Sequence, residues 1–395
     1  MGDCETAALV GSDGSIDWLC WPRFDSDACF AALLGTAEHG RWLVTPASGG
    51  ARATRAYRGH SLILETRFET DEGVVRVIDF MPPRIGGSNL VRLVVGDRGA
   101  VQMRTELVVR FGYGALVPWV TRQADGTMRA IAGPDQLVFR TDATVRGEGM
   151  ATVGDFVVRE GETFAFTLTH APSHLPPPDP TDPHAALVDT EQFWADWAGR
   201  ARVHTPEGAQ RDAIMRSLVT LKGLTYAPTG GIVAAPTTSL PETLGGIRNL
   251  DYRFCWLRDA TLSLLALMNA GYYDEARAWR DWLLRAIAGT PKQAQIMYGI
   301  GGERRLTEWQ IDWLPGYEGA KPVRIGNGAH DQLQHDVYGE VMDALYQAHR
   351  GGVACSKEGW ALQRALLDHL SRTWTEKDRG IWGAVASPAT SPSAR

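Results

Sequence analysis

The chain has 395 residues, with 46 acidic against 40 basic side chains and a formal charge of −6, which argues against nucleic acid or an anionic membrane as a default partner. Hydrophobic residues make up 44% and charged residues 22%, the composition of an ordinary soluble protein with two domains or one large one. No run approaches the ~18 apolar residues of a membrane span. The opening MGDCETAALVG has no basic stretch leading into a long apolar one, and the five cysteines show no CxxC spacing. The expectation is a cytoplasmic protein with reduced thiols, without secretion signal, disulfide framework or structural zinc.

Residues 1–170 read as a β-rich domain. The segments 62–70, 73–81, 101–111, 136–141 and 163–170 are rich in Val, Phe, Thr and Leu, alternate roughly with period two, and are separated by Gly, Asp and Pro turns, which predicts an antiparallel sandwich. The stretch APSHLPPPDPTDPH (171–184) carries six prolines in fourteen residues and precludes regular helix or central strand, so 171–189 is expected to be a linker. From 190 to 382 the pattern turns helical. Helices are expected over 190–200, 207–224, 258–271, 273–288, 331–349 and 357–374, with polar loops at 226–254 and 290–328. The tail GAVASPATSPSAR (383–395) has no carboxylate, no apolar periodicity and a Ser/Ala/Pro bias, and is expected to be disordered.

The block PETLGGIRNLDYRFCWLRDA (241–260) crowds Glu242, Arg248, Asp251, Arg253, Arg258 and Asp259 among Tyr252, Phe254 and Trp256. Carboxylates accept from paired hydroxyls, Arg donates in a fixed fork, and Trp covers the C–H face of a sugar, so the block suits a polyhydroxylated ligand. A structural ion-pair network at a helix start is the alternative reading.

Four segments sharpen that choice: AALVGSDGSIDWLCWPRFDSDACFAALLG (7–35), APTTSLPETLGGIRNLDYRFCWLRDA (235–260), YGIGGERRLTEWQIDWLPGY (298–317) and PVRIGNGAHDQLQHDVYGE (322–340). On them the chain resembles glycoside hydrolase family 15, the glucoamylase-like enzymes, in the bacterial branch that includes trehalases. The resemblance implies a β-sandwich ahead of an (α/α)6 barrel of six helical hairpins. Five or six helices from Glu207 onward are about half of twelve, so the barrel is expected to be incomplete. Unpartnered apolar helix faces would then favour self-association.

The implied activity is inverting hydrolysis of an α-glucoside such as trehalose or a malto-oligosaccharide, with no cofactor. It requires a general acid and a general base flanking the bond. In the branch the acid lies in a motif resembling GIWE; here DRGIW (378–382) is followed by Gly383. The base falls in a later part of the barrel. The expectation is therefore a C-terminally truncated chain without catalytic carboxylates and without hydrolytic activity, or else a sugar-binding or assembly subunit.

The resemblance implies sugar contacts at Trp256, Arg258 and Asp259. Glu308, beside Trp309, is a further candidate contact, with an ion pair to Arg304 or Arg305 as its alternative. Arg324 is either a sugar contact or an anchor of the loop through Asn327. Gln332 and Asp336 are four apart and are expected to share a helix face. His330 and His335 are five apart, a poor spacing for one face, so no metal is expected. Trp279 and Trp282 fall on amphipathic helices and are expected in the core, whereas Trp256, Trp309 and Trp313 lie in or beside polar loops.

Overall fold

In the computed structural model, which describes residues 1–84 and 87–380, the first 172 residues build two antiparallel layers around one long strand. That strand, Ser88–Val108, is 21 residues long. Its first part pairs with Gly73–Phe80 and Thr163–Pro172 in one layer, and its second with Arg41–Pro46 and Ala151–Arg159 in the other. The crossing falls at Gly96 and Gly99, where a Cβ would sit 2.1 Å from the Arg159 carbonyl oxygen and 2.2 Å from that of Glu72. Only glycine permits so close a backbone approach. Trp42 of one layer meets Phe139 and Phe166 of the other edge-on at 5.6 and 6.4 Å, so the aromatic inward positions lock the layers together.

The expected strands at 62–70, 73–81, 136–141 and 163–170 correspond to Leu64–Glu69, Gly73–Phe80, Asp135–Thr141 and Thr163–Pro172. The segment expected at 101–111 is only the second part of the crossing strand. Its first part is buried on both faces, and such a strand has no alternation to reveal it.

Six α-helices are present among the described residues: α1 Pro183–Gly199, α2 Ala209–Gly223, α3 Leu257–Asn269, α4 Tyr273–Ala286, α5 Asp336–Arg350 and α6 Lys357–Thr373. Inside the stretch expected as a linker, α1 starts at Pro183. The Asp182 side chain caps it by accepting from the backbone N–H of His184 and Ala185, and proline fits the first helical position, where no N–H bond is missed. The tail at 383–395 lies outside the described residues. Helix α3 turns into α4 at Gly271, whose φ is +89°, giving an antiparallel hairpin with Leu264, Leu267, Trp279, Trp282 and Leu283 fully buried. Trp279 and Trp282 are thus core residues. Trp360, Leu367 and Trp374 on or just after α6 remain exposed. Among the described residues no helix is long and apolar enough to cross a membrane.

The sheet and helical regions join along a mixed seam. Trp18, Ala28, Leu34 and Tyr113 from the first pack against Ile311, Leu314 and Val323 from the second. The indoles of Trp18 and Trp313 donate across the seam to the carbonyls of Pro236 and Tyr113, at 2.9 and 3.0 Å. Arg23 of the N-terminal motif reaches Glu303 at 2.9 Å.

Candidate functional site

The block 241–260 divides in two on folding. Arg253 is completely buried and holds Asp251 by two bonds, Nε to Oδ1 at 2.9 Å and Nη2 to Oδ2 at 2.7 Å. Its remaining donors reach the Ser26 carbonyl at 2.8 Å, Tyr113 Oη at 2.9 Å and Cys20 Sγ at 3.3 Å. Asp251 also accepts from the backbone N–H of Gly326 at 3.1 Å. This pair therefore fastens two loops of the helical region to the sheet domain. Burial opposes the guanidinium's charge, but Asp251 overcomes it and holds the Arg253 pKa well above the ordinary value.

Three residues later the chain enters the site face. Cys255–Trp256 pairs with Met297–Tyr298, and Trp256 occupies the N-cap of α3. Arg258 and Asp259 consequently sit in the first turn, where an acidic side chain is favoured by the unsatisfied N–H groups. Arg258 Nη1 reaches Asp336 Oδ2 at 3.3 Å, with both side chains about a fifth exposed at 21% and 23%. Asp336 opens α5, and one turn on Thr261 Oγ1 meets the Glu340 carbonyl at 3.5 Å, so the N-termini of α3 and α5 lie side by side with the helices running the same way. Two convergent helix N-termini favour electron-rich oxygens. Asp336 Oδ1 is buried and has no hydrogen-bond donor among the described residues.

Glu340, one turn further along α5, has its carboxyl pKa raised by burial first and by Asp336 second, with Arg258 opposing. Its place on this face follows from the turn of α5 that separates it from Asp336 and was not legible in the sequence. Trp256 lies against Tyr252 with ring centroids 5.6 Å apart, so an aromatic wall borders the charged groups.

The remaining candidates separate by environment. Glu308 pairs with Arg324 at 3.3 Å and accepts from the Gly328 N–H at 3.0 Å; its ion pair is with Arg324 rather than with Arg304 or Arg305. The reason is the hairpin that pairs Trp309–Ile311 with Val323–Ile325, which brings residues 308 and 324 together. Arg324 also donates to the carbonyls of Ile247 and Asn249 at 2.9 and 3.1 Å, so it anchors a loop. Trp309 is 44% exposed and tilts against Trp313 at 6.3 Å. Asn327 is buried, its amide donating to the Asp251 carbonyl and its Oδ1 accepting from Ala329 N–H.

Gln332 does not share a helix face with Asp336. The turn nucleated by Asn327 continues to Gln332 N–H bonding the Ala329 carbonyl, and α5 begins only at Asp336. After α6 the chain returns to this end: Asp378 Oδ2 accepts the His335 N–H at 3.0 Å, and Arg379 N–H meets the Leu333 carbonyl at 3.0 Å. Asp378 and Arg379 thus lie beside the start of α5; the rest of the motif from Ile381 and Gly383, the expected acid position, lie outside the described residues. Among the described residues no group of three or more His, Cys, Asp or Glu side chains could hold a metal ion.

The geometry can be set beside known proteins. The family described as Glycosyl hydrolases family 15 matches residues 208–393, and that described as Trehalase-like, N-terminal matches residues 1–146. A trehalase of Mycolicibacterium smegmatis is 33% identical over 417 residues, covering 98% of this chain and 62% of that protein. For a trehalase of Mycobacterium tuberculosis the identity is 32%, covering 98% and 61%. Trehalase 1 of Sulfolobus acidocaldarius is 31% identical, covering 98% and 66%. The chain therefore spans less than two thirds of the length of these relatives. A bacterial glucoamylase solved with acarbose superposes with a TM-score of 0.63 at 11% identity, over 97% of this chain and 60% of that one, a likeness of fold.

Proposed function

This chain belongs to glycosyl hydrolase family 15, and we propose that it binds the terminal glucose of an α-glucoside at the face made by the N-termini of α3 and α5. The observation that carries the reading is the Arg258–Asp336 pair at those two helix starts, with an unpartnered Asp336 oxygen behind it. A sugar hydroxyl both donates and accepts. It would give its proton to the carboxylate and take a bond from the guanidinium, while Trp256 covers an apolar ring face. Charge-assisted bonds to a sugar held away from water supply orientation as well as affinity.

Trehalose is the preferred substrate class, since the curated relatives above carry the name trehalase. Malto-oligosaccharides are the second class, motivated by the acarbose-bound glucoamylase of similar fold. The reaction we propose for the family pattern is inverting hydrolysis: one carboxylic acid protonates the leaving oxygen while a carboxylate opposite activates water. Two of the candidate acids are engaged in ion pairs. Glu308 is tied to Arg324 and Gly328 N–H, and Asp336 to Arg258. With Gly383 at the position that the family pattern gives the acid, the polypeptide of these 395 residues is proposed to bind sugar without useful turnover, because a missing general acid alone costs roughly 10²–10⁴ in rate.

Isothermal titration of the folded 395-residue protein with trehalose, maltose and glucose, run beside a glucose-release assay, tests both halves. Saturable heat with no glucose released is the expected result. Absence of heat from folded protein would sink the binding site, and turnover abolished by Arg258→Met would sink the reading that this polypeptide lacks an acid.

A further inference from the structure

A cavity lies within the sheet domain, lined by none of the residues of the α3–α5 face. It measures about 310 Å³ and is walled by Leu107, Val120, Met128, Ala130, Leu137 and Phe139. That volume sits at the lower end of the range for small-molecule sites, about 300–1,000 Å³. Gly147 and Gly149 stand at its edge, and a Cβ built at either would meet nothing within 4 Å. Both glycines are exposed, so the cavity opens to solvent on this side. Leu116, Val117, Trp119 and Met150, all exposed, continue the apolar surface outward from the cavity, and Val117 and Met150 belong to its lining as well.

One charged side chain lines this apolar space. Arg110 is 7% exposed. Its Nη1 donates to the carbonyls of Val109 at 2.7 Å and Met150 at 3.3 Å. No carboxylate pairs with it among the described residues; Glu38 acts on it only at a distance. Burial accordingly pushes the guanidinium pKa down. An Arg keeps its proton in proteins, so the site holds a permanent cation that two neutral carbonyls satisfy incompletely. Only Nη1 bonds those carbonyls, and Nε and Nη2 are not sealed away from solvent, so they remain available to an anion. The other buried guanidinium with apolar surroundings, Arg92, shows the contrast: it is matched in place by Asp79 at 2.7 Å. Arg110 is less deeply buried and has no carboxylate bonded to it among the described residues.

We propose that this cavity binds a small amphipathic carboxylate, its apolar body between Val120, Met128, Leu137 and Phe139 and its carboxylate on Arg110. The apolar walls select against sugars, whose hydroxyls would lose their hydrogen bonds there. The single cation selects a monoanion with its charge at one end, and a guanidinium offers two parallel N–H donors to such a group. Binding here is separate from the α-glucoside site and does not depend on that reading.

The test compares sodium octanoate with 1-octanol, which share the chain and differ in the charge, by calorimetric titration of the full 395-residue protein. One saturable site with octanoate favoured at least about tenfold is expected, the scale of a charge-assisted bond to a buried guanidinium. In Arg110→Met that preference should fall to about onefold, while octanol still binds. Equal binding of the two probes by the unsubstituted protein, no saturable binding of octanoate, or a preference that survives in Arg110→Met would each overturn the proposal. Should Arg110→Met fail to fold, Ala130→Met decides the matter by filling the cavity from its wall. It should remove binding of both probes, and undiminished octanoate binding in that variant would place the ligand elsewhere.

Discussion

Arg253 and Arg258 stand five residues apart in one block, and each holds an aspartate, yet the two pairs do opposite work. The Arg253–Asp251 pair is sealed, with side chains 1% and 0% exposed, and every partner it has belongs to the architecture: Ser26, Cys20, Tyr113 and the Gly326 N–H. The Arg258–Asp336 pair is open to the face where two helices start. The difference teaches that a carboxylate–guanidinium pair is read by its surroundings. A pair whose donors and acceptors are all spent inside the protein fastens it together. A pair at a helix start that keeps part of its surface open can take a ligand.

Removing one partner of the sealed pair should therefore give the largest effect. Arg253→Met leaves Asp251 charged and buried, and we expect a loss of about 3–5 kcal/mol in urea unfolding, with the sheet and helical regions melting apart. The double variant Arg253→Met with Asp251→Leu should recover part of that loss, since an apolar pair has no uncompensated charge. A single-variant loss below about 1 kcal/mol would put the pair among ordinary surface bridges.

The open pair should behave in the reverse way. Arg258→Met is expected to change stability by no more than about 1 kcal/mol, as for a bridge partly in contact with solvent. Trehalose affinity should fall at least about tenfold, the scale of a lost charge-assisted hydrogen bond. Titration calorimetry and an unfolding curve on the same preparation separate the two quantities. Full affinity in the variant would return the pair to a purely structural role.

The smallest effect concerns pH. Glu340 has its folded-state pKa raised above the ordinary 4.5, by burial first. Between 4.5 and that raised value the folded protein binds the proton more tightly than the unfolded chain does. Its contribution to stability is thus fully present below 4.5 and is lost as pH rises through the folded value. Glu340→Gln should remove that slope, so the stability of the unsubstituted protein relative to the variant should decline with rising pH across this window. A flat difference between the two pH profiles would show that Glu340 is not held in a desolvating environment.

Much of the organisation was legible because it rests on local chemistry. Alternation exposed the half-buried strands such as Leu64–Glu69, apolar spacing at helical period exposed α3 and α4, and Trp279 and Trp282 declared themselves core by falling on that stripe. The aromatic and charged block marked the site region, and the four long matching segments carried the family. Local chemistry also misled. Proline density around 171–184 read as linker throughout, although a proline after Asp182 starts α1. The amphipathic stretch 331–349 read as one helix, although Asn327 turns the chain and delays α5 to Asp336.

What the tertiary structure alone decided is which charge meets which. Arg253 finds Tyr113 across 140 residues, and Arg258 finds Asp336 across 78. Nothing in the block 241–260 distinguishes the arginine that becomes buried from the one that stays open, because both have the same chemistry and similar neighbours. Periodicity and turn chemistry act over a few residues, so the sequence by itself determined most of the elements, their class and the family. The division between fastening and binding came from the packing of the sheet domain against the loops before α3 and α5, since burial is a property of the assembled surroundings and not of the side chain that is buried.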